Sequence, residues 1–297
     1  MGRGVVLQDC RAWRILTVLG IGPGWCGEDS REGQISGNRD VLVILNLLNA
    51  LGEVALSVSL AGLQNEGLID VIIPMIGSRH ADLIPEIDAY EDPLAMAAAL
   101  NAVVKKLYRE SRDITNMIAA GDLGVAYCLR KAALESDSNK IIELRKLGQI
   151  IAFNTAVNCW PGWADSGAVI EEAHIRAAIE LAVRSRDLVQ ELALPARAQG
   201  GAHWLVGALE LAAGRFDVAR GAFEQAEQAF LIDDAIFAYT LMARGYVALA
   251  RKADPRSRLE GADMLRSALE SLRAEGSKDA AFFADQLATA DRVLIGN

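Results

Sequence analysis

The sequence has few of the residues that build metal sites and disulfide frameworks. Only four cysteines and three histidines occur in 297 residues, and no two cysteines form a Cys-x-x-Cys pair. This spacing fits neither a zinc site nor a disulfide scaffold. We therefore expect no metal and no other cofactor, and the unpaired cysteines favour a reducing, cytoplasmic location.

Basic residues are also in deficit. Thirty Lys and Arg face 39 Asp and Glu, which gives a net charge of −9. A polyanion would meet net repulsion except at a local basic patch, so we expect no nucleic acid among the partners. Hydrophobic residues make up 52% of the chain, which is enough for a sizeable core.

Residues 1 to 40 lack a sustained hydrophobic period and are rich in Gly, Arg, Asp and Ser, which predicts a poorly ordered leader. Gly22, Gly24 and Gly27 spell G-x-G-x-x-G, the spacing of a dinucleotide-binding turn. Residues 28 to 40, however, contain one apolar residue and several acids, so no helix follows to present its N-terminus to a phosphate. We expect no nucleotide binding there.

Residues 41 to 63 form an apolar run that is long enough to span a bilayer and carries one charge, Glu53. Its polar residues recur at helical spacing on one face: Asn46, Asn49, Glu53 and Ser57. A lipid-facing helix would have to bury that carboxylate, at about 2.5 to 3.5 kcal/mol. A packed helix is therefore favoured, with a membrane anchor as the alternative, and we expect residues 41 to 91 to be a hydrophobic N-terminal helical segment.

From residue 92 to residue 297 the hydrophobic period is helical and almost no strand pattern occurs. The pattern predicts nine helices, at about 93–109, 114–134, 139–159, 169–193, 197–213, 216–231, 234–252, 258–274 and 278–295. Their short connections make neighbouring helices antiparallel. The predicted fold is therefore all-α, with antiparallel helical hairpins stacked as an α-solenoid.

The stretch from 203 to 229 resembles a tetratricopeptide repeat (TPR). The matching residues are Gly207, Gly214, Phe216, Ala219, Phe223 and Ala226. The resemblance implies that Gly207 omits a side chain where two helices cross, and that Gly214 ends the first helix in the left-handed conformation. We expect alanine at position 207 to be tolerated and leucine to be disruptive.

A second copy follows 36 residues later at Met242, Ala243 and Tyr246. A third, weaker match to the repeat lies at Leu147, Gly148 and Ile151. These positions extend the resemblance to a TPR-like helical repeat domain over residues 92 to 297.

The resemblance implies a non-catalytic scaffold that binds a peptide or protein segment in a concave groove. Laying the repeats in register places these residues in that groove: Trp204, Ala208, Leu211, Phe237, Thr240, Arg244, Arg145, Gln149 and Phe153. A sealed core is an equal alternative for Trp204. Trp160 and Trp163 flank a proline turn, which either packs on helix ends or forms an exposed recognition loop.

Two motifs that suggest chemistry have structural explanations. Glu171 and His174 make one Glu-x-x-His step, where a di-iron bundle needs two, so they are interpreted as a helix start. Asp233 and Asp234 stand where aspartate caps a helix. An enzyme is therefore the least favoured function. The main alternative to a scaffold is a membrane-anchored assembly factor of an envelope complex.

Overall fold

The computed structural model describes residues 66–78, 80–165, 167–232 and 237–296. The leader, the apolar run at 41–63 and the pair Asp233 and Asp234 lie outside these residues. Eleven α-helices and no strand occur in the described part: α1 (Glu66–Ser78), α2 (His80–Asp88), α3 (Pro93–Lys106), α4 (Ile114–Leu134), α5 (Ser138–Asn158), α6 (Glu172–Glu191), α7 (Ala196–Ala212), α8 (Phe216–Phe230), α9 (Phe237–Ala253), α10 (Arg258–Glu275) and α11 (Lys278–Leu294). The described part of the chain is therefore all-α, as predicted.

The helix boundaries follow from side chains that cap free backbone groups. Asp92 accepts hydrogen bonds from the N–H groups of Leu94 and Ala95 at 2.9 and 3.2 Å, and Pro93 takes the first helical position of α3. Ser277 caps α11 in the same way. The nine helices predicted after residue 92 are confirmed to within three residues at each boundary, except that a π-helical turn, Leu107–Ser111, follows the shorter α3.

Helices that are consecutive in the chain pack against each other from α3 to α11, a pattern consistent with stacked hairpins. In addition, α3 packs on α5 and α9 packs on α11. Helix α1 packs on both α3 and α4, and Ile72, Leu83 and Ile87 belong to the same hydrophobic core as the later helices. The core is thus continuous across the boundary that the sequence suggests at residue 91.

Gly207 lies where helices α7 and α8 cross. A Cβ atom at this position would lie 2.7 Å from the Phe223 ring and 3.1 Å from the Ala219 carbonyl oxygen. Gly214 ends α7 with a φ of 74°, so the predicted conformation of this glycine is confirmed. This geometry argues against the expectation that alanine is tolerated at 207, because the fully buried Phe223 ring would have to shift to admit the methyl group.

Close helix approaches at glycine recur along the array. Gly148 of α5 lies between α4 and α6, with its Cβ position 3.2 Å from the Cys128 Cβ and 4.0 Å from the Leu188 Cδ1. Gly245 of α9 receives the side chain of Leu287 from α11. Helices α5, α7 and α9 therefore each use a small residue to bring a neighbouring helix close.

Candidate functional site

The residues predicted to line a concave groove divide into a buried set and an exposed set. The buried residues are Trp204, Ala208, Leu211, Thr240, Gln149 and Phe153. Gln149 is committed to the interior, since its Nε2 donates to the Ser185 hydroxyl at 3.0 Å and so joins α5 to α6. This placement corrects the prediction for five of these residues, which do not line an open groove. For Trp204 it agrees with the alternative of a sealed core.

The physical reason is that the chain fills this face itself. After α5 the backbone makes a short 3-10 turn, Pro161–Trp163, and the Trp160 ring before it is fully buried. That ring contacts Trp204 of α7 and Tyr246 of α9 edge to face, with centroids 5.4 and 5.8 Å apart. The ring centroids of Trp163 and Trp160 lie 4.9 Å apart. We call Trp160, Trp163, Trp204 and Tyr246 the aromatic cluster.

Helix α11 covers the same region from the C-terminal side. It packs against the turn Pro161–Trp163 as well as against α9. The turn is held in place by the Trp163 indole N–H, which donates to the Val157 carbonyl at 2.7 Å. Of the two alternatives for this turn, the structure therefore shows packing for Trp160, and no open recognition loop is needed to explain it.

Asp165, which follows the turn, forms a salt bridge and a hydrogen bond with residues near the end of α3. Asp165 accepts a hydrogen bond from the Tyr108 hydroxyl at 2.6 Å and another from the Arg112 guanidinium at 2.8 Å. Both donors follow α3, so this carboxylate joins the end of the turn to the first helices of the array. The turn is thus fixed at both ends by polar contacts.

The polar atoms of the aromatic cluster lie inside the protein. The indole N–H groups of Trp160 and Trp204 and the Tyr246 hydroxyl are buried and make no hydrogen bond within the described residues. Burial raises the pKa of Tyr246 well above its usual value, so this phenol stays protonated. No sequence signal marks Tyr246 as a neighbour of Trp160, since the contact depends on where the turn folds.

Three of the predicted groove residues remain on the surface. Phe237 is 48% exposed, and the side chains of Arg244 and Arg145 are 47% and 44% exposed. Arg244 pairs with Glu227 at 2.6 Å, and Arg145 pairs with Glu191 at 3.3 Å. Phe237 and Arg244 are seven residues apart on α9 and so share one face of that helix. We call these two residues the α9 patch.

His174 has a structural role at the start of α6. Its Nδ1 accepts a hydrogen bond from the Glu171 backbone N–H at 3.2 Å, in a reciprocal capping arrangement. Its Nε2 lies 3.1 Å from the Thr115 hydroxyl. These contacts support the interpretation of this motif as a helix start.

The two described cysteines are poor nucleophiles. Cys128 and Cys159 are buried, and burial raises the pKa of each thiol to about 12. The thiolate, which is the reactive form, is therefore scarce at neutral pH. Within the described residues, no cluster of three or more His, Cys, Asp or Glu side chains could hold a metal ion. The same part of the chain contains no helix that meets the length and hydropathy of a membrane span.

Comparison with known protein families, curated proteins and solved structures gives no match to this chain.

Proposed function

We propose that this chain is a TPR-like α-solenoid without catalytic activity, which acts by binding a segment of another protein. The observation that carries the proposal is the crossing of α7 and α8, where Gly207 contacts Phe223 and Ala219 in the register of that repeat. Gly148 of α5 and Ala243 of α9 occupy the position of Gly207 in the repeat register, and both are buried or closely packed small residues, which supports further repeats. Stacked helical hairpins of this kind present extended surfaces to protein partners.

The α9 patch is the surface on which we place the partner, because the interior of the array is filled by the aromatic cluster. Only the Nε of Arg244 is engaged by Glu227 at hydrogen-bond distance, and a guanidinium has five N–H donors. Its other donors can bind a carboxylate of the partner, while Phe237 supplies apolar contact area. Arginine and aromatic residues are among the residue types that dominate binding at many protein interfaces.

The experiment compares partners captured by the parent protein and by Arg244→Glu, with each protein first shown to be folded by circular dichroism. Arg266→Glu is the matched control, since Arg266 is an exposed arginine of α10 that pairs with Asp263. A partner retained by parent and control and lost from Arg244→Glu, with its affinity reduced at least about tenfold, supports the proposal.

A second variant separates loss of the partner from loss of the internal ion pair. The double exchange of Arg244→Glu with Glu227→Arg restores a pair between α8 and α9 but reverses its direction. We expect the double variant to regain any stability that Arg244→Glu loses. We do not expect it to regain binding of the partner. If Arg244→Glu retains every partner at parental yield, binding at the α9 patch is excluded.

A membrane-anchored assembly factor is the second candidate function, favoured by the single charge in residues 41 to 63. We place the protein in the cytoplasm as the first choice. A high-salt wash of cell membranes distinguishes the two, because an anchored protein stays in the pellet and a cytoplasmic scaffold is released.

A further inference from the structure

Three buried polar groups belong to rings of the aromatic cluster that all touch one another. Trp160, Trp204 and Tyr246 are each at most 2% exposed. The ring centroid of Trp160 lies 5.4 Å from that of Trp204 and 5.8 Å from that of Tyr246. The centroids of Trp204 and Tyr246 are 5.5 Å apart, so the three rings form a closed triangle of contacts.

None of these three rings has a hydrogen-bond partner for its polar atom within the described residues. The unpartnered atoms are the indole N–H groups of Trp160 and Trp204 and the hydroxyl of Tyr246. The fourth ring of the cluster differs, since the Trp163 indole donates to the Val157 carbonyl at 2.7 Å. Buried polar groups almost always bond to protein or to ordered water. Three such groups on mutually touching rings therefore indicate a shared partner.

The chemistry of the three groups selects a neutral hydrogen-bond acceptor. An indole N–H can only donate, whereas a phenol hydroxyl can donate or accept. Burial is the cause that raises the pKa of Tyr246, with no charged neighbour contributing. The cation–π contacts of the described residues involve other tyrosines and not this cluster. A buried anion would lack the opposite charge that it needs, so a neutral acceptor is favoured over a carboxylate or a phosphate.

We infer that a water molecule is bound inside the aromatic cluster, where it accepts hydrogen bonds from the Trp160 and Trp204 indoles and shares a third with the Tyr246 hydroxyl. Three partners are typical of a buried water in a folded protein. This water would join the turn after α5 to α7 and α9. The inference goes beyond the proposed binding at the α9 patch and does not depend on it.

The first test measures magnetisation transfer from water to the assigned indole N–H protons of the unmodified protein, labelled with 15N-tryptophan. A water held longer than the protein takes to tumble gives cross-peaks with the sign of two protons that tumble together. Trp163 is the internal control, because its indole bonds to a carbonyl of the protein. We expect such cross-peaks at Trp160 and Trp204, and a much weaker one at Trp163.

The absence of a water cross-peak at both Trp160 and Trp204 would overturn the inference. The rings meet edge to face, with interplanar angles of 77° for Trp160 with Trp204 and 60° for Trp160 with Tyr246. In that case the indole N–H groups would be assigned to weak contacts with ring faces instead of water. This measurement needs no variant, so it is decisive even if a substitution in the cluster prevents folding.

Tyr246→Phe removes the hydroxyl and keeps the ring, which separates the water from the hydroxyl proton. A phenol proton exchanges with water and can relay magnetisation to a neighbouring indole. The cross-peaks at Trp160 and Trp204 should persist in Tyr246→Phe if they come from a bound water. Their loss in a folded Tyr246→Phe protein would assign them to the hydroxyl proton and overturn the inference.

The melting temperature of Tyr246→Phe tests the third hydrogen bond. Removing a hydroxyl that bonds to a buried water should lower it by about 2 to 4 °C, whereas removing an unpaired hydroxyl should leave it unchanged or raise it. Tyr239→Phe is the matched control, since the Tyr239 hydroxyl accepts a hydrogen bond from Arg197 and its removal should also lower the melting temperature. A decrease in Tyr239→Phe without one in Tyr246→Phe would contradict the site.

Discussion

The indole rings of Trp160 and Trp204 meet edge to face with their centroids 5.4 Å apart. Trp160 follows α5 and Trp204 lies within α7, so this contact brings the turn between α5 and α6 onto the first helix of the next hairpin. The face that would be an open groove in a simple stack of hairpins is filled by the chain itself. Surface binding must therefore use residues outside this contact.

Gly207→Ala should destabilise the protein by about 1 to 3 kcal/mol, because the added methyl group overlaps the buried Phe223 ring. Gly207→Leu should cost more. Gly221→Ala is the control: Gly221 lies in α8 with nothing within 4 Å of its Cβ position, so alanine should stabilise by up to about 1 kcal/mol. Urea unfolding followed by circular dichroism measures all three, and equal destabilisation by both alanine variants would argue against a close crossing at Gly207.

Leu287→Ala should destabilise by about 2 to 5 kcal/mol, because this fully buried leucine fills the space at Gly245 and docks α11 on α9. Leu259→Ala is the matched control, since Leu259 is 84% exposed and its truncation should change stability by no more than about 0.5 kcal/mol. Thermal and urea melts give both values. A small effect at Leu287 would mean that α11 does not close the array.

The acid sensitivity of the protein should depend in part on Arg256. Hydrogen bonds from this guanidinium lower the pKa of Asp217 and of Asp254, and so join the start of α8 to the loop before α10. A lowered carboxyl pKa contributes stability above the unfolded pKa, and that stability is lost as the pH falls through the folded value.

Arg256→Met should therefore melt below the parent at neutral pH and approach the parent at acid pH. Melting curves across this pH range test it, with Arg266→Met as a control for loss of an exposed arginine. A parallel offset between Arg256→Met and parent at every pH would contradict the assigned origin of the two pKa shifts.

Cys128 and Cys159 should resist alkylation in the folded protein. Both thiols are buried and have a pKa of about 12, so iodoacetamide finds neither access nor thiolate at neutral pH. Mass spectrometry of peptides after labelling with and without urea measures the difference. Rapid labelling of either residue without urea would show that the core around it opens.

Hydrophobic periodicity, together with the residues that start and end helices, was sufficient to predict the helices. Asp92 with Pro93 starts α3, Gly214 ends α7 and Ser277 starts α11, and each of these is a local interaction that a sequence carries directly. The crossing at Gly207 was also predictable, since a repeat register fixes which side chain faces which helix.

The exposure of the groove residues was not predictable from register. A register places Trp204 and Thr240 on one face of the array, but it contains no information about a turn from elsewhere that covers that face. The cover comes from Trp160 and from α11, which are distant in sequence from α7. The positions of Trp160 and α11 on this face depend on tertiary packing. For the same reason, the contact of Tyr246 with Trp160 and Trp204 could not be predicted from the sequence.

The central claim is that the face formed by α5, α7 and α9 is closed, and hydroxyl-radical footprinting with peptide mass spectrometry tests it on the unmodified protein. Trp204 is buried and Phe237 is 48% exposed, although tryptophan and phenylalanine both react readily when accessible. We predict that Trp160 and Trp204 are oxidised far more slowly in the folded protein than in urea, while Phe237 is oxidised at a similar rate in both. Oxidation of folded Trp204 as fast as that of Phe237 would show an open groove and contradict the closed face.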